Sequence, residues 1–278
     1  MKFLHRRTMI ALAAAAFSVA AVSTGSVSHA QAADAESVVQ TIKKRGVIKV
    51  GMSSFVPWAM RDKKGELIGF EIDVAKKVAE DMGVEVEFVP TAWDGIIPAL
   101  LSGKFDVIIG GMSITPQRNL SVNFTRPYAR SGVGFAANKK LADGMTTLDA
   151  YNASGVKLAV RRGITAATLA QKIFPKARLL QFDDDAQAFQ EVVNGNAHAV
   201  LSSEPKPTFW TIENSDVLYQ PFDKVLQRGA EAMALRKGDP DALNYFSNWV
   251  EVRTNDGWLA ERHDYWFKTQ NWKDEVGK

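Results

Sequence analysis

The chain has 278 residues, no cysteine and 46% hydrophobic residues, a composition typical of a globular protein with one large domain or two smaller ones. The absence of cysteine excludes a disulfide framework, thiolate zinc sites, iron–sulfur clusters, cysteine nucleophiles and a lipid anchor on cysteine. Lys and Arg total 34 against 31 Asp and Glu, and the surplus lies at the N-terminus.

Residues 1–32 have the pattern of a secretory signal peptide. They contain three basic residues and no acidic one, and an apolar run from Met9 to Val22 follows the basic start. Small residues then satisfy the small-x-small cleavage rule at 28–30 and 30–32. The apolar run is short for a membrane span. We therefore expect a cleaved signal peptide, export, and a neutral mature chain, for which nucleic acid is an unsuitable partner.

The remaining chain alternates predicted helices and strands. The predicted elements are a helix over 37–45, a strand over 47–50, a helix through 74–82, a strand over 84–89, a helix over 94–103, strands over 105–109 and 156–160, a helix to 174, a strand near 179, a helix to 193 and a strand over 197–201. Two C-terminal helices are rich in Trp, which indicates core or helix–helix packing. This order predicts an α/β fold with parallel sheets covered on both faces. Two such runs predict two lobes, and ligands of open α/β sheets bind beyond the carboxyl ends of the strands.

The loop after Ile109 carries the strongest signal for a bound anion. Thr115 is a natural helix N-cap, and Pro116 is a natural first helical residue. The glycines before them allow close approach of a ligand, and Arg118 follows three residues after the cap. Because a guanidinium can bind a carboxylate through two parallel hydrogen bonds, this loop predicts carboxylate recognition.

Other strand ends carry aromatic and charged residues. Phe55, Trp58 and Trp93 lie on the first lobe's loops; aromatic residues usually belong to the core, but these could also flank a small ligand. Arg161 lies just before a predicted helix and offers a second anion site. Glu204 follows the strand ending at residue 201, where two readings are equally supported: an acceptor for an ammonium group, or an acid that favours a helix N-terminus.

Catalytic and metal chemistry has little support in the sequence. Only His198 and His263 lie beyond residue 32, and they are far apart, so we expect no metal site. No nucleophile elbow or phosphate-binding loop occurs. Residues 132–137 loosely match a dinucleotide fingerprint without its strand–turn–helix context. We therefore expect no cofactor and no catalytic residue.

Several ordered segments resemble the extracellular solute-binding proteins of polar amino-acid ABC importers. They are KVG at 49–51, PW at 57–58, LIGFEIDVA at 67–75, TAWDGIIPAL at 91–100, GKFDV at 103–107, GMSITPQR at 111–118 and NFTRPY at 123–128. The resemblance extends from about residue 45 to the C-terminus. It implies the two-lobed periplasmic binding protein fold of type II.

The resemblance also implies how the chain is divided and what it does. Residues 33–130 and 229–278 would form a discontinuous first lobe, and residues 131–228 the second. Two hinge strands, near 129–133 and 226–231, would join them. The lobes would close over a small solute in the periplasm and present a surface to a membrane permease. We expect a monomer, because the protein must open and close.

The resemblance further implies individual ligand contacts. Phe55 and Trp93 would sandwich the solute, Gly111 and Ser113 would contact its carboxylate, and Arg118 would be the main carboxylate clamp. Arg161 and Thr165 would reach into the cleft from the second lobe.

Two departures from the family pattern leave the ligand open. Ser203 stands where an Asp usually binds the α-ammonium, and Met52 stands where another acid is often found. An unpaired buried ammonium is costly, so Glu204 is the expected replacement, helped by the hydroxyl of Ser203. The alternative is a small organic acid without an amine, for which Arg118 and Arg161 would be suited.

An enzyme is a further alternative. The periplasmic cyclohexadienyl dehydratases resemble the same fold and need a carboxylic acid in the second lobe. Lys206 stands at that position here, and Glu204 is the acid nearest to it in sequence. We therefore expect binding without turnover.

Overall fold

The computed structural model describes residues 36–276, so the predicted signal peptide lies outside the described residues. The first segment forms most of one sheet and its helices. Its elements are α1 (Val38–Arg45), β1 (Val47–Met52), β2 (Met60–Arg61), β3 (Leu67–Ile68), α2 (Phe70–Met82), β4 (Glu85–Pro90), α3 (Ile96–Leu101), β5 (Val107–Ile108), α4 (Pro116–Asn119) and β6 (Asn123–Phe124). The predicted helix over 37–45 is confirmed: Ser37 caps its N-terminus, and Gly46 ends it with a φ of 74°.

The middle segment forms a second sheet. Its elements are β7 (Ala129–Asn138), α5 (Leu148–Tyr151), β8 (Lys157–Arg161), α6 (Thr165–Ile173), β9 (Arg178–Phe182), α7 (Asp185–Val193), β10 (Ala199–Ser203), α8 (Lys206–Glu213), β11 (Leu218–Tyr219) and β12 (Gln227–Glu231). The strand order is β11-β7-β10-β8-β9. β12 pairs with the first half of β7, on the edge opposite β10. β8, β9 and β10 are parallel, and β7 runs antiparallel to β10.

The last segment returns to the first sheet through β13 (Ala234–Leu235) and ends with α9 (Pro240–Asn255) and α10 (Trp258–Lys268). The first sheet has the order β4-β1-β5-β13-β6, with β1, β4 and β5 parallel and β13 antiparallel. Both sheets are therefore mixed, because the segments that pass between them enter antiparallel. We call the first sheet with its helices lobe 1, and the second with its helices lobe 2.

The two chain segments between the lobes pair with each other. Gln227 is opposite Val133, and Glu231 is opposite Ala129. This antiparallel ladder occupies the predicted hinge segments. The exact boundaries predicted for the lobes, 33–130 with 229–278 and 131–228, stay a prediction.

The C-terminal helices pack on lobe 1 through buried tryptophans. The indole of Trp266 donates a hydrogen bond to Asp73, at 2.7 Å, and that of Trp249 donates to Asp81, at 2.8 Å, so both helices are joined to α2. Trp272 is also buried. The predicted packing role of these residues is confirmed. Within residues 36–276, none of the helices combines the length and apolar character that crossing a bilayer requires.

Candidate functional site

A cavity lies where the carboxyl ends of strands from both lobes meet. About 390 Å³ of space between the lining residues is free of protein atoms, and part of this space is open to solvent. The lining residues are Ser53, Phe55, Trp93, Gly110, Gly111, Ser113 and Arg118 from lobe 1, and Arg161, Ile164, Thr165, Asp185 and Ser203 from lobe 2. Eight of the nine residues named from the sequence are therefore brought together here, and Glu204 is outside the lining.

Arg118 lies at the centre of the lobe 1 wall. Thr115 accepts the Arg118 backbone N–H at 3.1 Å, so the predicted N-cap is confirmed and places the side chain. One guanidinium nitrogen donates to the Ser113 carbonyl at 2.8 Å, and the other donates to the Gly163 carbonyl of lobe 2 at 3.0 Å. No carboxylate within residues 36–276 pairs with it, and burial lowers the pKa of this guanidinium. A half-buried cation without an ion-pair partner favours a bound anion.

Arg161, by contrast, is compensated by protein groups. It is buried and forms an ion pair with Asp185 at 3.5 Å. It also donates to the Ser53 hydroxyl of lobe 1 at 2.6 Å. Asp185 in turn accepts the Ser202 hydroxyl at 2.6 Å. The predicted anion site around Arg161 is thus partly occupied by the protein's own carboxylate, and Arg161 connects the two lobes.

The aromatic residues form two sides of the cavity. Trp93 has two guanidinium groups near its ring, those of Arg118 and Arg161, each 5.7 Å from the ring centroid. Phe55 stacks on Trp58, with ring centroids 6.4 Å apart. Trp58 itself is buried in the lobe 1 core, so it is a packing residue. That Phe55 and Trp93 sandwich a ligand stays a prediction.

The glycine loop, residues 110–113, forms hydrogen bonds to buried side chains. The Gly111 N–H donates to the Tyr128 hydroxyl at 3.3 Å, and the Ser113 hydroxyl donates to Glu231 at 3.4 Å. Gly111 has a φ of 66°, and an added Cβ would lie 3.0 Å from the Trp58 ring, so glycine is favoured here. For Gly111 and Ser113 to contact a carboxylate, as predicted, they would have to exchange their hydrogen bonds to Tyr128 and Glu231 for bonds to the ligand. That contact stays a prediction.

Glu204 points away from the cavity. Its Oε2 accepts the Thr208 hydroxyl at 2.8 Å, one helical turn further along the chain. Its Oε1 lies over Gly134, where an added Cβ would be 1.9 Å away. The structure therefore does not support Glu204 as the ammonium acceptor that the sequence suggested. The physical reason is local: a hydroxyl in the first turn of α8 binds the carboxylate.

Sequence reasoning missed Asp185 and Ser53. Asp185 looks like an ordinary acid at a helix start, following Asp184, which caps α7. Its position after β9 is nevertheless a strand-end position, which is the signal that could have identified it. Met52 is fully buried on β1, and its neighbour Ser53 lines the cavity instead. Within the described residues no cluster of three potential metal ligands occurs.

The family model described as bacterial extracellular solute-binding proteins, family 3, matches residues 48–269. The chain belongs to this family. The family predicted from the sequence motifs is thus confirmed, and with it the two-lobed α/β fold of type II.

This solute-binding protein is similar to three relatives in particular. It is 39% identical to the crystal structure of AncCDT-1, an ancestral amino acid-binding protein and a precursor of cyclohexadienyl dehydratase; the match covers 84% of this chain and 100% of that one, with a TM-score of 0.76. It is 35% identical, with a TM-score of 0.78, to a protein assigned as an ABC transporter binding component from Wolinella succinogenes, complexed with lysine, over 83% of this chain and 99% of that one. It is 28% identical over 252 residues to cyclohexadienyl dehydratase of Pseudomonas aeruginosa, covering 87% of this chain and 90% of that one.

Two buried carboxyl groups lie behind the glycine loop of this solute-binding protein. Glu71 accepts the Tyr128 hydroxyl at 2.7 Å, and Glu231 accepts the Ser131 hydroxyl at 2.7 Å. Burial, and secondarily the charge of Glu231, raises the pKa of Glu71 to about 8. Burial raises the pKa of Glu231 to about 7. Both groups therefore carry protons well above the pH at which an exposed Glu loses its proton.

We expect stability to fall as the pH rises from about 5 to about 8. Between the unfolded pKa of 4.5 and the folded value of about 8, the folded state binds more protons at Glu71 than the unfolded state does. The stabilisation is complete below the unfolded pKa and is lost as the pH rises through the folded one. Glu71→Gln, which is neutral and of the same shape, should flatten this slope in thermal unfolding measured across the range. An unchanged slope in the variant would contradict the assignment.

Proposed function

We propose that this protein is the periplasmic solute-binding component of an ABC importer, and that it binds a polar amino acid or a closely related small carboxylate between its lobes. The mature, monomeric protein would deliver that solute to a membrane permease. The observation that carries the proposal is Arg118: it is a cavity-lining cation with no carboxylate partner among the described residues. The family, and relatives that bind amino acids, support the same reading.

The carboxylate of the solute would be held by Arg118. Two of its three guanidinium nitrogens already donate to carbonyl groups, but a guanidinium has five N–H donors, so some are left for the solute. Thr165 begins α6, whose first backbone N–H groups have no side-chain cap and are available to an anion. Phe55 and Trp93 would flank the body of the solute, and Ser113 would move from Glu231 to the ligand.

The ammonium group of an amino acid would be held by Asp185 together with Ser203. Asp185 is the one carboxylate among the described lining residues. Its contacts to Ser202 and Arg161 leave carboxylate lone pairs unused, since an ionised carboxylate accepts about four hydrogen bonds. Ser203 contributes a hydroxyl at the position where the family usually has the acid. This assignment replaces Glu204, whose oxygens are turned toward Thr208 and Gly134.

The charge of the cavity favours a solute of net charge −1. Arg118 and Arg161 are positive, and Asp185 is negative, so the described lining carries one uncompensated positive charge. A zwitterion would leave that charge unpaired, whereas an acidic amino acid or a monocarboxylate would neutralise it. A cationic amino acid would add a second positive charge, and Met52 offers no acid to compensate it.

Contacts between the lobes supply the closing mechanism. Arg118 of lobe 1 bonds to Gly163 of lobe 2, and Arg161 of lobe 2 bonds to Ser53 of lobe 1. Both arginines also line the cavity. A solute that contacts both would add to the same interactions and shift the population toward the closed state.

A thermal-shift panel on the mature, ligand-stripped protein tests the proposal. The panel holds L-glutamate, L-glutamine and L-lysine as a charge series, with succinate and prephenate. A ligand at about 100 times its Kd adds roughly 2.7 kcal/mol, which raises Tm by roughly 5–11 °C for a chain of this size. We expect L-glutamate to give a larger shift than L-glutamine, and L-lysine the smallest. No response from any amino acid or carboxylate would contradict the proposal.

The same panel separates binding from catalysis. The dehydratase relative supports an enzyme, but elimination needs a carboxylic acid next to the leaving group, and the described lining offers only Asp185, which is paired with Arg161. We therefore propose a binder without turnover. Consumption of prephenate by the wild type that is lost in Asp185→Asn would show the opposite.

A further inference from the structure

A second cavity, of about 550 Å³, lies between the lobes and shares no lining residue with the first. Lobe 2 contributes Lys206, Phe209 and Trp210 from α8. Lobe 1 contributes Trp272 and Lys273 from the short 3-10 turn that follows α10. The cavity is thus built by two elements that approach each other only when the lobes are together.

Lys206 is a buried cation in the wall of this cavity. The residue is 8% exposed, and its ammonium lies 4.6 Å from the centroid of the Trp210 ring and 5.4 Å from that of Phe55. Among residues 36–276, no carboxylate lies within ion-pair distance, and no hydrogen-bond acceptor is found for it. The pKa of the Lys206 ammonium is lowered, mainly because the group is buried.

The aromatic contacts compensate this cation only in part. An aromatic ring face attracts a cation only weakly, while an ammonium has three N–H donors that prefer oxygen acceptors. Buried lysines are otherwise nearly always paired. Lys206 therefore resembles Arg118, in that each is a cation at a cavity wall that forms no ion pair with a described residue. The carboxylates of Asp185, Asp184 and Glu213 act on Lys206 only from beyond ion-pair distance.

The other walls define the kind of anion that fits. Phe209 and Trp272 are buried aromatic residues whose ring centroids are 6.0 Å apart. Lys273 is already paired with Glu213 across the lobes, at 2.7 Å, so it adds no free charge. Asp274 also lines the cavity, but it is exposed, whereas Lys206 is buried beside aromatic rings. A buried cation in such surroundings is suited to a single carboxylate on an apolar body, and poorly suited to a strongly hydrated inorganic anion.

We propose that this cavity is a second ligand site, which takes a small monocarboxylate with an aromatic or apolar body and pairs its carboxylate with Lys206. Since both lobes line the cavity, an occupant stabilises the same closed state as a solute in the first cavity. By linkage, each ligand then raises the affinity for the other. The inference does not rest on the proposed function, because the site and its test need no amino acid.

Phenylacetate is the probe, and its neutral isostere phenylacetamide is the matched control. Titration calorimetry on the mature, ligand-stripped protein should give saturable phenylacetate binding with a Kd of about 1 mM or below. We expect phenylacetamide, and phenylacetate with Lys206→Met, to bind at least about tenfold more weakly, because each removes one member of the charge pair. Arg118→Met should weaken phenylacetate binding less than Lys206→Met does, because Arg118 lies in the other cavity and affects the probe only through its contact between the lobes.

Three results would overturn the proposal. They are no saturable binding up to about 20 mM, equal binding of acid and amide, and a loss of phenylacetate binding in Arg118→Met as large as that in Lys206→Met, which would place the probe in the first cavity. Binding of inorganic phosphate in place of phenylacetate would refute the apolar body. If Lys206→Met does not fold, the comparison of acid with amide still decides. Failure of the amino-acid panel alone would refute only the proposed function.

Discussion

Arg118→Met should weaken solute binding by about 100-fold or more. The side chain is the cavity cation without a counter-charge among the described residues, and its removal deletes the proposed carboxylate contact. Truncating one partner of a buried charge pair costs about 2–5 kcal/mol, which corresponds to roughly 30-fold to several thousand-fold in Kd. Titration calorimetry with the strongest responder of the panel measures the loss directly.

Arg126→Met is the matched control for this variant. Arg126 is an exposed arginine of lobe 1 that pairs with Glu251 at 3.3 Å on the surface. It has the same side chain and the same formal charge, but it lies outside the cavity lining. We expect its Kd to stay within about twofold of wild type, because surface ion pairs contribute little. Equal affinities for the two variants would show that Arg118 does not bind the solute.

Gly69→Ala should destabilise lobe 1 strongly. Gly69 has a φ of 131°, and an added Cβ would lie 2.4 Å from the Trp58 carbonyl oxygen. That carbonyl accepts the Glu71 N–H at 2.8 Å, so the clash would also disrupt the start of α2. We expect a loss of about 3 kcal/mol or more, which lowers Tm by roughly 10 °C in differential scanning calorimetry.

Gly65→Ala separates the steric clash from backbone strain. Gly65 also has a positive φ, of 87°, but nothing lies within 4 Å of an added Cβ. It should lose only about 1–2 kcal/mol, the strain of a non-glycine residue in this conformation. If both variants lost the same amount, contact with the Trp58 carbonyl would not be the cause.

The local features of the fold were predictable because they depend on near neighbours. The cap formed by Thr115 needs only the helix that follows it, and the end of α1 at Gly46 needs only a left-handed residue. The alternation of apolar residues likewise predicted β4, while a β-branched run predicted β1 and a fully apolar run predicted β5. The mixed character of the sheets was not predicted, because β7, β12 and β13 are defined by pairing between distant segments.

The site shows the same division between local and distant causes. The strand-end rule located the cavity and most of its lining from sequence. It could not give the direction of individual side chains, so Glu204 was expected in the cavity although Thr208 binds it outside. Asp185, at the start of α7, contacts Ser202 on β10 and Arg161 on β8, and such contacts between distant segments could not be predicted from sequence. Glu71 carried no signal, because its burial arises from packing between α2 and Tyr128.

Carboxylate recognition through Arg118 requires that the negative charge of the solute contribute strongly to its affinity. The most direct measurement is a titration of the ligand-stripped protein with the strongest responder of the panel and with the same compound converted to its carboxamide at the α-carboxylate. The amide has nearly the same size and the same planar shape as the carboxylate, but it carries no negative charge. We predict that it binds about 100-fold more weakly. Binding of the amide within about threefold of the acid would contradict carboxylate recognition at this site.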